Sequence, residues 1–311
     1  MALVATASRT GSFDVGSNLE TSALAKVQAA CNFVNAEVSR LRHQTIAIAV
    51  IAGIGAILLW IFTGAGNPRV PLVLASGIAV FFFVRARTEL ASSYRSIAAK
   101  RIVAGLGKEL TYRPGSSLTR QHFIALDLFA ERCGRWTSSD EIGGRVRGVK
   151  YSLHRARAGG GDRKAPFFDG VVIKVDFSDA FPAHTVIVPD HNGQLLGGHA
   201  SNGAAGSRRK KDLVMLKNPE FERVFSVYSS DYYETRKLLT PEFMQIVLAA
   251  QANLDTELRL CFLQKSLYAT VAVGAPRFKP TLFADPLTPQ AAVGTLVPLV
   301  SLAQRLAQLR A

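Results

Sequence analysis

The sequence predicts an α+β protein in which an N-terminal two-helix transmembrane hairpin is followed by a cytoplasmic domain of helices and antiparallel sheet. Two uncharged apolar runs, residues 45–63 and 70–84, lie near the N-terminus and are separated by only six residues. From residue 144 onward apolar residues alternate with polar ones, as they do in half-buried strands. Helix signals precede and follow these strands instead of alternating with them one by one, which favours α+β over a βαβ arrangement.

The segment before the first apolar run divides into two parts. Residues 1–24 are rich in Ser, Thr, Gly and Ala, a composition that predicts a disordered tail. Residues 25–44 place Val27, Val38 and Leu41 at helical intervals and predict a cytoplasmic helix that runs toward the first span. This segment lacks the charged and then apolar pattern of a signal peptide, so we expect the first span to stay as an anchor.

The two apolar runs together predict a transmembrane hairpin over residues 45–84. The first run has the 19 uncharged residues that a bilayer-spanning helix needs. The second has 15 residues and carries Pro71 near its start, so it is short for a span. A buried helical pair inside a large soluble core is the alternative interpretation. Neither run contains an ionisable residue, which argues against an ion pathway or a transporter.

Charged residues beside the hairpin predict its orientation. Arg40 and Arg42 precede the first run, Arg85 and Arg87 follow the second, and the connecting loop holds only Arg69. Because basic residues are enriched on the cytoplasmic side of membrane proteins, both termini are predicted to be cytoplasmic.

The positive charge is concentrated after the hairpin. The chain has a net charge of +14, and residues 85–211 carry 22 basic against 11 acidic side chains. A basic surface beside a bilayer attracts anionic lipid headgroups, and nucleic acid is the less favoured alternative partner. The predicted lipid-surface contacts are Arg85, Arg87, Arg208, Arg209, Lys210 and Lys211.

Cysteine usage indicates a reducing compartment. The three cysteines are few and widely spaced, and no CxxC pair is present.

Residues 85–135 are predicted to form a helical stalk and a further helix. Apolar residues at helical intervals extend the second span through residues 88–110, and Pro114-Gly115 ends that helix. Residues 117–133 show a second helical pattern, with Phe123 and Leu126 facing inward.

Residues 136–311 are predicted to form the cytoplasmic α+β domain. Strands are expected at residues 144–154, 170–177 and 184–188, where β-branched residues alternate with polar ones. Ile173 and Val175 point away from Lys174 and Asp176, so the sheet is expected to be covered on one face. Residues 159–164 and 193–211 are Gly-rich charged loops.

The last third of the chain carries the strongest local signals. Thr240-Pro241-Glu242 combines a helix cap, a proline at the first helical position and an acid in the first turn, and predicts a helix to about residue 251. Residues 258–263 and 266–273 predict a hairpin around Gln264-Lys265. Residues 288–308 predict an apolar helix that Pro298 should kink.

Four side chains within 16 residues are the weak candidates for a metal site, namely His184, Asp190, His191 and His199. Their spacing matches none of the usual zinc patterns, so a loop with incidental histidines is favoured. Residues 193–211 lack the GxxxxGK[ST] phosphate-binding pattern, which leaves a flexible basic loop as the favoured interpretation. No catalytic, cofactor or metal site is therefore assigned.

A local acidic cluster could in principle supply paired carboxylates for acid–base chemistry. It consists of Glu220, Glu222, Asp231 and Glu234. The favoured interpretation is structural: Pro219-Glu220 opens a helix, and the acids face water or pair with Arg223 and Arg236.

Three stretches of the C-terminal half carry a family resemblance: NPEFERVFSVYSSDYYETRKLLTPEFM, LRLCFLQKSLYATVAV and FKPTLFADPL. They are similar to domain-of-unknown-function family 3137, an uncharacterised family of bacterial membrane proteins. With the earlier SYRSIAAKRIVAGL and IGGRVRGVKYSLHRA, the resemblance covers roughly residues 90–300. It implies two spans near the N-terminus followed by a cytoplasmic domain, and it carries over no catalytic residue.

Together these observations predict a membrane-anchored interaction or scaffold domain of the bacterial inner membrane. Its expected partners are anionic lipid headgroups and an unidentified envelope protein, with no cofactor. The alternative is an enzyme, or a metal- or nucleotide-binding domain, that acts at the membrane surface.

Overall fold

Nine strands in the described part of the chain form one antiparallel sheet in the order β1-β2-β3-β4-β9-β8-β5-β7-β6. The computed structural model describes residues 14–63, 73, 76–78, 80–86, 88, 99–107, 109–161, 165–190, 212–254, 256–273 and 289–309. The strands are β1 (Thr111–Arg113), β2 (Arg135–Val146), β3 (Val149–Gly159), β4 (Pro166–Asp176), β5 (Thr185–Pro189), β6 (Asp212–Leu213), β7 (Phe225–Ser229), β8 (Leu258–Leu263) and β9 (Ser266–Val271).

Eight helices accompany the sheet within the described residues. They are α1 (Asp14–Thr63), α2 (Ser76–Ala86), α3 (Ala99–Leu106), α4 (Arg120–Ala125), α5 (Pro219–Val224), α6 (Tyr232–Leu238), α7 (Pro241–Asn253) and α8 (Pro289–Gln308). The mixture of helices and antiparallel sheet confirms the predicted α+β class.

The strands β2, β3 and β4 form a meander of long strands at one side of the sheet. The prediction of a single strand over residues 144–154 is wrong, because Arg147 and Gly148 form a turn between β2 and β3. Both turn residues have positive φ, +47° for Arg147 and +85° for Gly148. Two such residues match the twist of a two-residue hairpin, and glycine adopts this conformation without strain.

The predicted hairpin of β8 and β9 is confirmed, with Gln264-Lys265 as its turn. The carbonyl of Lys265 accepts a hydrogen bond of 2.8 Å from the Phe177 N–H, which ties the end of β4 to this turn.

Both faces of the sheet are covered, so the expectation of a sheet covered on one face is wrong. Ile173 and Val175 of β4 belong to a large core under α1, α3, α5, α7 and α8. Phe168 and Val172 of the same strand point to the opposite face, into a second core. The second core is completed by Leu118, Phe123, Leu126 and Leu128 of the segment around α4.

The segment that covers the second face is mostly irregular. A helix was predicted for residues 117–133, but α4 has only six residues. Thr119 caps it by accepting a hydrogen bond of 3.2 Å from the His122 N–H, and Asp127 at φ +56° lies outside helical geometry. The apolar residues that suggested a longer helix still point into the core, because packing does not require them to be helical.

Two other helix bounds also differ from expectation. Helix α3 ends at Leu106, not at residue 110, because the chain turns there into strand β1. The predicted stalk residues 89–98, the hairpin loop 64–69 and the Gly-rich loop 193–211 lie outside the described residues. The division into domains stays a prediction.

Helix α1 begins at Asp14, so residues 14–24, predicted to be disordered, are helical. Adding residues to a helix that the following turns have already nucleated is easier than starting a new helix, which accounts for the longer α1. The helix continues through the predicted cytoplasmic helix and the first span to Thr63 without a break.

Candidate functional site

The N-terminal half of α1 is part of the domain core. Val27 and Cys31 are 0% exposed and Val34 is 2% exposed. This half packs against α3 and α8, and the guanidinium of Arg101 lies 4.9 Å from the centre of the Phe33 ring. The helix is therefore held to the sheet side of the molecule by buried apolar contacts.

The C-terminal half of α1 is more apolar than the N-terminal half, since residues 45–63 carry no charge, yet its described side chains are largely exposed. Seven of its described large side chains have between 46% and 68% of their surface exposed: Ile46, Val50, Ile51, Ile54, Ile57, Leu58 and Ile61. Val27–Leu58 is the helix of the described chain that is long and apolar enough to cross a bilayer. Polar residues separate the two halves, since Arg40, Arg42, His43 and Gln44 are all exposed.

Helix α2 contacts α1 at the boundary between these halves. Leu41 and Ala86 are each only 6% exposed and pack together, with Val38 and Phe83 beside them. A groove of about 620 Å³ runs between the two helices. Its lining residues are Leu41, Gln44, Thr45, Ala47, Ile48, Phe82, Arg85 and Ala86.

A second cavity lies in the domain, between α6, α7, the end of α8 and the segment that follows β4. It has a volume of about 230 Å³. Phenylalanines and leucines dominate its lining, including Phe177, Phe181, Phe243, Phe262, Leu306 and Leu309. The ion pair of Lys237 with Glu234, 2.7 Å between Nζ and Oε1, also lines it. This apolar cleft suits an apolar side chain better than a polar substrate.

The structure separates the two metal candidates that it describes. His184 precedes β5 and Asp190 follows it, so the two lie about 20 Å apart along the strand. His184 lies beside a thiol instead, with its Nε2 3.3 Å from Sγ of the buried Cys261. His191 and His199 lie outside the described residues, and the residues that are described contain no group of three metal-ligating side chains.

Of the predicted lipid-surface contacts, the structure describes Arg85, which is exposed on α2. Arg87 and the basic run Arg208–Lys211 carry no described side-chain placement. Their contact with lipid stays a prediction.

A buried histidine that sequence reasoning missed lies on the second face of the sheet. His154 is 0% exposed, with Nδ1 2.9 Å from Ser116 Oγ and Nε2 2.8 Å from Ser152 Oγ. Burial lowers the pKa of His154 to about 4, although the Glu141 carboxylate 3.7 Å away opposes that shift. Alternation along β3 could have placed His154 with Ser152 on one face, but nothing in the sequence shows that Ser116 lies opposite.

The His154 cluster holds the irregular segment against the sheet. Glu141 accepts a hydrogen bond of 3.0 Å from the Ser117 N–H, which lowers the pKa of its carboxyl although burial opposes it. Since the imidazole is wholly buried and both of its nitrogens contact serine hydroxyls, the arrangement fits a structural latch and not an exposed general base.

The acidic cluster of the sequence serves helix starts. Asp231 caps α6 by accepting from the N–H groups of Tyr233 and Glu234, at 2.9 and 3.1 Å. Glu222 accepts a hydrogen bond from the Leu216 N–H. Glu234 pairs with Lys237, where a pairing of the acids with Arg223 or Arg236 was expected. Asn218 caps α5 as its position before Pro219 implies.

The C-terminal half of the chain matches a known protein family. Residues 167–307, from β4 to α8, match the model of a family described as protein of unknown function (DUF3137). Residues 167–307 are a DUF3137 domain. The match confirms the resemblance for the three C-terminal stretches. The two earlier stretches, residues 93–106 and 142–156, lie outside the matched residues, as do α1 to α4 and β1 to β3.

Comparison with other proteins adds little to the DUF3137 assignment. No curated protein matches the chain. Among solved structures, the crystal structure of the mycobacterial trehalose monomycolate transport factor A, TtfA, is similar over 55% of this chain and 75% of that chain, at 11% identity and a TM-score of 0.29. A similarity at that level supports no argument about fold or function.

Proposed function

We propose that this protein is a membrane-anchored scaffold of the bacterial inner membrane. In this proposal α1 and α2 form a transmembrane hairpin with both termini in the cytoplasm, and the DUF3137 domain binds an envelope protein beside the inner leaflet. The observation that carries the proposal is the change of environment along α1, which is buried in the core at Val34 and apolar but exposed at Ile54.

The exposed half of α1 supports membrane anchoring, because exposing its apolar side chains to water is unfavourable. Each fully buried Ile, Leu or Val side chain gains roughly 1.5–3 kcal/mol relative to its exposed state. Seven such side chains lie exposed between Ile46 and Ile61. A bilayer covers all sides of the helix at once, as this arrangement of exposed residues requires.

The contact of α1 with α2 supports a hairpin. Leu41 at the start of the apolar half packs on Ala86 at the end of α2. The end of α2 therefore lies beside the start of the apolar half of α1, as it would in a hairpin. Arg40, Arg42 and Arg85 lie at that same level, where basic residues mark the cytoplasmic side.

The apolar cleft supports a binding role for the domain. Its phenylalanines offer apolar area, and the Lys237–Glu234 pair offers a polar contact at the same place. Interfaces of proteins combine such an apolar anchor pocket with polar contacts. A protein side chain is therefore the occupant that we propose for the cleft.

Membrane anchoring is tested by carbonate extraction of the full-length protein, together with reporter fusions at the N-terminus, the 64–69 loop and the C-terminus. We expect the protein in the membrane pellet, cytoplasmic reporters active at both termini, and a periplasmic reporter active in the loop. A protein that carbonate releases into the supernatant would overturn the proposal.

Partner binding is tested with a photo-crosslinking amino acid at Leu238, which lines the cleft. The matched control carries it at Ile124, which is 51% exposed on the opposite face. We expect one discrete adduct from the cleft position, none from the control, and loss of the adduct in Lys237→Glu. Identical adducts from both positions would contradict the proposed docking site.

A further inference from the structure

The hairpin that joins β2 and β3 extends beyond the neighbouring strands of the described sheet. Strand β1 pairs with β2 as far as Gly143, and β4 pairs with β3 from Lys150 onward. Residues 144–149 therefore project from the end of the sheet. The side chains of Arg145, Arg147 and Lys150 are all exposed there.

These three cations have no acidic partner among the described residues. Arg145 and Lys150 are direct cross-strand partners, a position in which like charges repel each other and destabilise the sheet. The register partner of Lys150 on β4 is Asp176, but its carboxylate already has two other contacts. Its Oδ1 lies 2.8 Å from Lys174 Nζ and accepts a hydrogen bond of 2.6 Å from Ser266 Oγ. The end of the hairpin therefore carries positive charge that the described part of the domain does not neutralise.

The apolar cleft lies at the same end of the sheet. Lys150 pairs in register with Asp176, and the next residue along β4, Phe177, lines the cleft. On the other side of Phe177 lies the β8–β9 turn, where the Lys265 carbonyl accepts a hydrogen bond of 2.8 Å from the Phe177 N–H. The side chain of Lys265 is exposed and, in the residues that the structure describes, has no acidic partner. Unpaired cations thus lie on both sides of Phe177.

We call the four cations around this end of the sheet the basic rim. They are Arg145, Arg147, Lys150 and Lys265. Glu109, before β1, and Asp179, after β4, are exposed acids of the same region, and neither forms an ion pair within the described part of the chain. Four unpaired cations against two unpaired acids leave an excess of two positive charges beside the cleft.

We propose that the protein partner of the cleft carries an acidic segment next to its apolar anchor, and that this segment binds the basic rim. The inference rests on the docking role proposed above for the cleft. Charge complementarity supports it, because carboxylates placed at the rim would neutralise its cations and relieve the repulsion between Arg145 and Lys150.

The neighbouring cleft favours a protein over the other polyanions. Its volume of about 230 Å³ and its phenylalanine lining suit one apolar side chain. A lipid surface or a nucleic acid would place phosphates at the rim and leave the cleft empty. An acidic peptide with an apolar anchor uses both features at once.

The first test repeats the crosslinking from Leu238 in the full-length protein that also carries Arg147→Glu and Lys150→Glu. We expect the yield of the discrete adduct to fall about tenfold, because attraction of the acidic segment is replaced by repulsion.

The matched control carries Arg132→Glu and Lys100→Glu, which change the same number of charges outside the rim. Arg132 precedes the start of β2, roughly 35 Å along that strand from the hairpin end. The control should keep the wild-type yield. Both double variants should unfold at the wild-type temperature, since all four side chains are exposed.

The second test measures the binding of synthetic peptides to the full-length protein in detergent. One peptide has a phenylalanine followed by a run of glutamates, and the other has lysines in place of the glutamates. We expect the glutamate peptide to bind and its association to slow as salt is added. The variant with Arg147→Glu and Lys150→Glu should lose most of this salt dependence, and the lysine peptide should not bind.

The outcomes separate the acidic partner from the cleft itself. Equal adduct yields from the rim variant and its control would overturn the acidic partner and leave docking in the cleft intact. Absence of the Leu238 adduct from the otherwise wild-type protein would remove the docking site, and this inference with it. Equal binding of the two peptides would also overturn the inference. So would tighter binding of an oligouridine than of the glutamate peptide, or release of that peptide by phosphatidylglycerol vesicles.

Discussion

The two halves of α1 differ in composition and in surroundings: the half that carries charged residues places its apolar side chains in the core, whereas the uncharged half exposes them. Val34 in the first half is 2% exposed, whereas Ile54 in the second is 53% exposed, and the two lie about 30 Å apart along the helix. The first half packs against α3 and α8, whereas the apolar side chains of the second half are largely exposed within the described part of the chain. The more apolar half of α1 is therefore the more exposed one, which is the reverse of the order expected for a helix in the core of a soluble protein.

The largest expected effect comes from placing the same charge in each half. Val34→Asp buries an unpaired carboxylate and should destabilise the domain by about 4 kcal/mol or more. Ile54→Asp should leave the stability of the detergent-solubilised domain unchanged within about 0.5 kcal/mol. It should instead weaken membrane insertion, because Asp at the centre of a span costs about 3 kcal/mol.

Denaturant unfolding in detergent and carbonate extraction measure these two effects separately. Equal losses of stability from both substitutions would show that the two halves share one environment, and would remove the basis for an anchor.

Low pH should lower the stability of the domain, because its buried His154 titrates. The pKa of His154 is about 4 in the folded protein and about 6.5 when unfolded, so the unfolded state binds the proton more tightly. Stability should be complete above pH 6.5 and fall as the pH drops to about 4, by about 3 kcal/mol in total. Unfolding midpoints measured across this range check the result.

His154→Gln provides the control for the acid experiment. The variant lacks the titrating imidazole. We expect it to be less stable than the wild type, but its free energy of unfolding should change less between pH 6.5 and 4.5. A variant as steeply pH-dependent as the wild type would assign the acid sensitivity to other groups.

A hydroxyl should be tolerated in one half of α1 and not in the other. Cys31→Ser places a hydroxyl in the core, where Cys31 is 0% exposed, and should cost about 1–2 kcal/mol. Ala49→Ser places it on the exposed half and should change stability by less than about 0.5 kcal/mol. Chemical unfolding in the same detergent compares them, and equal effects would contradict the difference in burial.

The smallest expected effect concerns the ring contact at the buried half. Arg101→Gln removes the guanidinium that lies 4.9 Å from the Phe33 ring and should cost about 0.5–1 kcal/mol. Lys100→Gln removes a neighbouring exposed charge and serves as control. Thermal unfolding distinguishes the two, and a larger loss from Lys100→Gln would argue that general charge outweighs the ring contact.

Local chemistry allowed several elements to be predicted from the sequence. The cap of α7 lies within three consecutive residues, and Thr240 Oγ1 accepts from the Phe243 N–H at 3.2 Å as expected. The turn of the β8–β9 hairpin lies between two apolar strands that are neighbours in the sequence, so the local pattern was enough to place it. The apolar run that forms the end of α1 was visible because length and lack of charge define it.

Elements that depend on distant contacts could not be predicted in the same way. The turn at Arg147-Gly148 was missed because Arg147 adopts a positive φ that its residue type does not favour. Helix α4 was predicted too long because Leu126 and Leu128 pack on the sheet without being helical. Charge alone made Arg85 a candidate, whereas the groove requires the contact of α1 with α2, which sequence spacing does not give.

In the membrane-anchored arrangement that we propose, the unbroken helix α1 connects the bilayer mechanically to the sheet. Since the described helix runs from Val27 in the core to Ile61 without interruption, its two ends must turn together. A tilt of about 10° would move Ile61 by about 7 Å relative to Val34. The buried end would have to repack against α8, so thickness and lateral pressure in the bilayer become forces on the domain core.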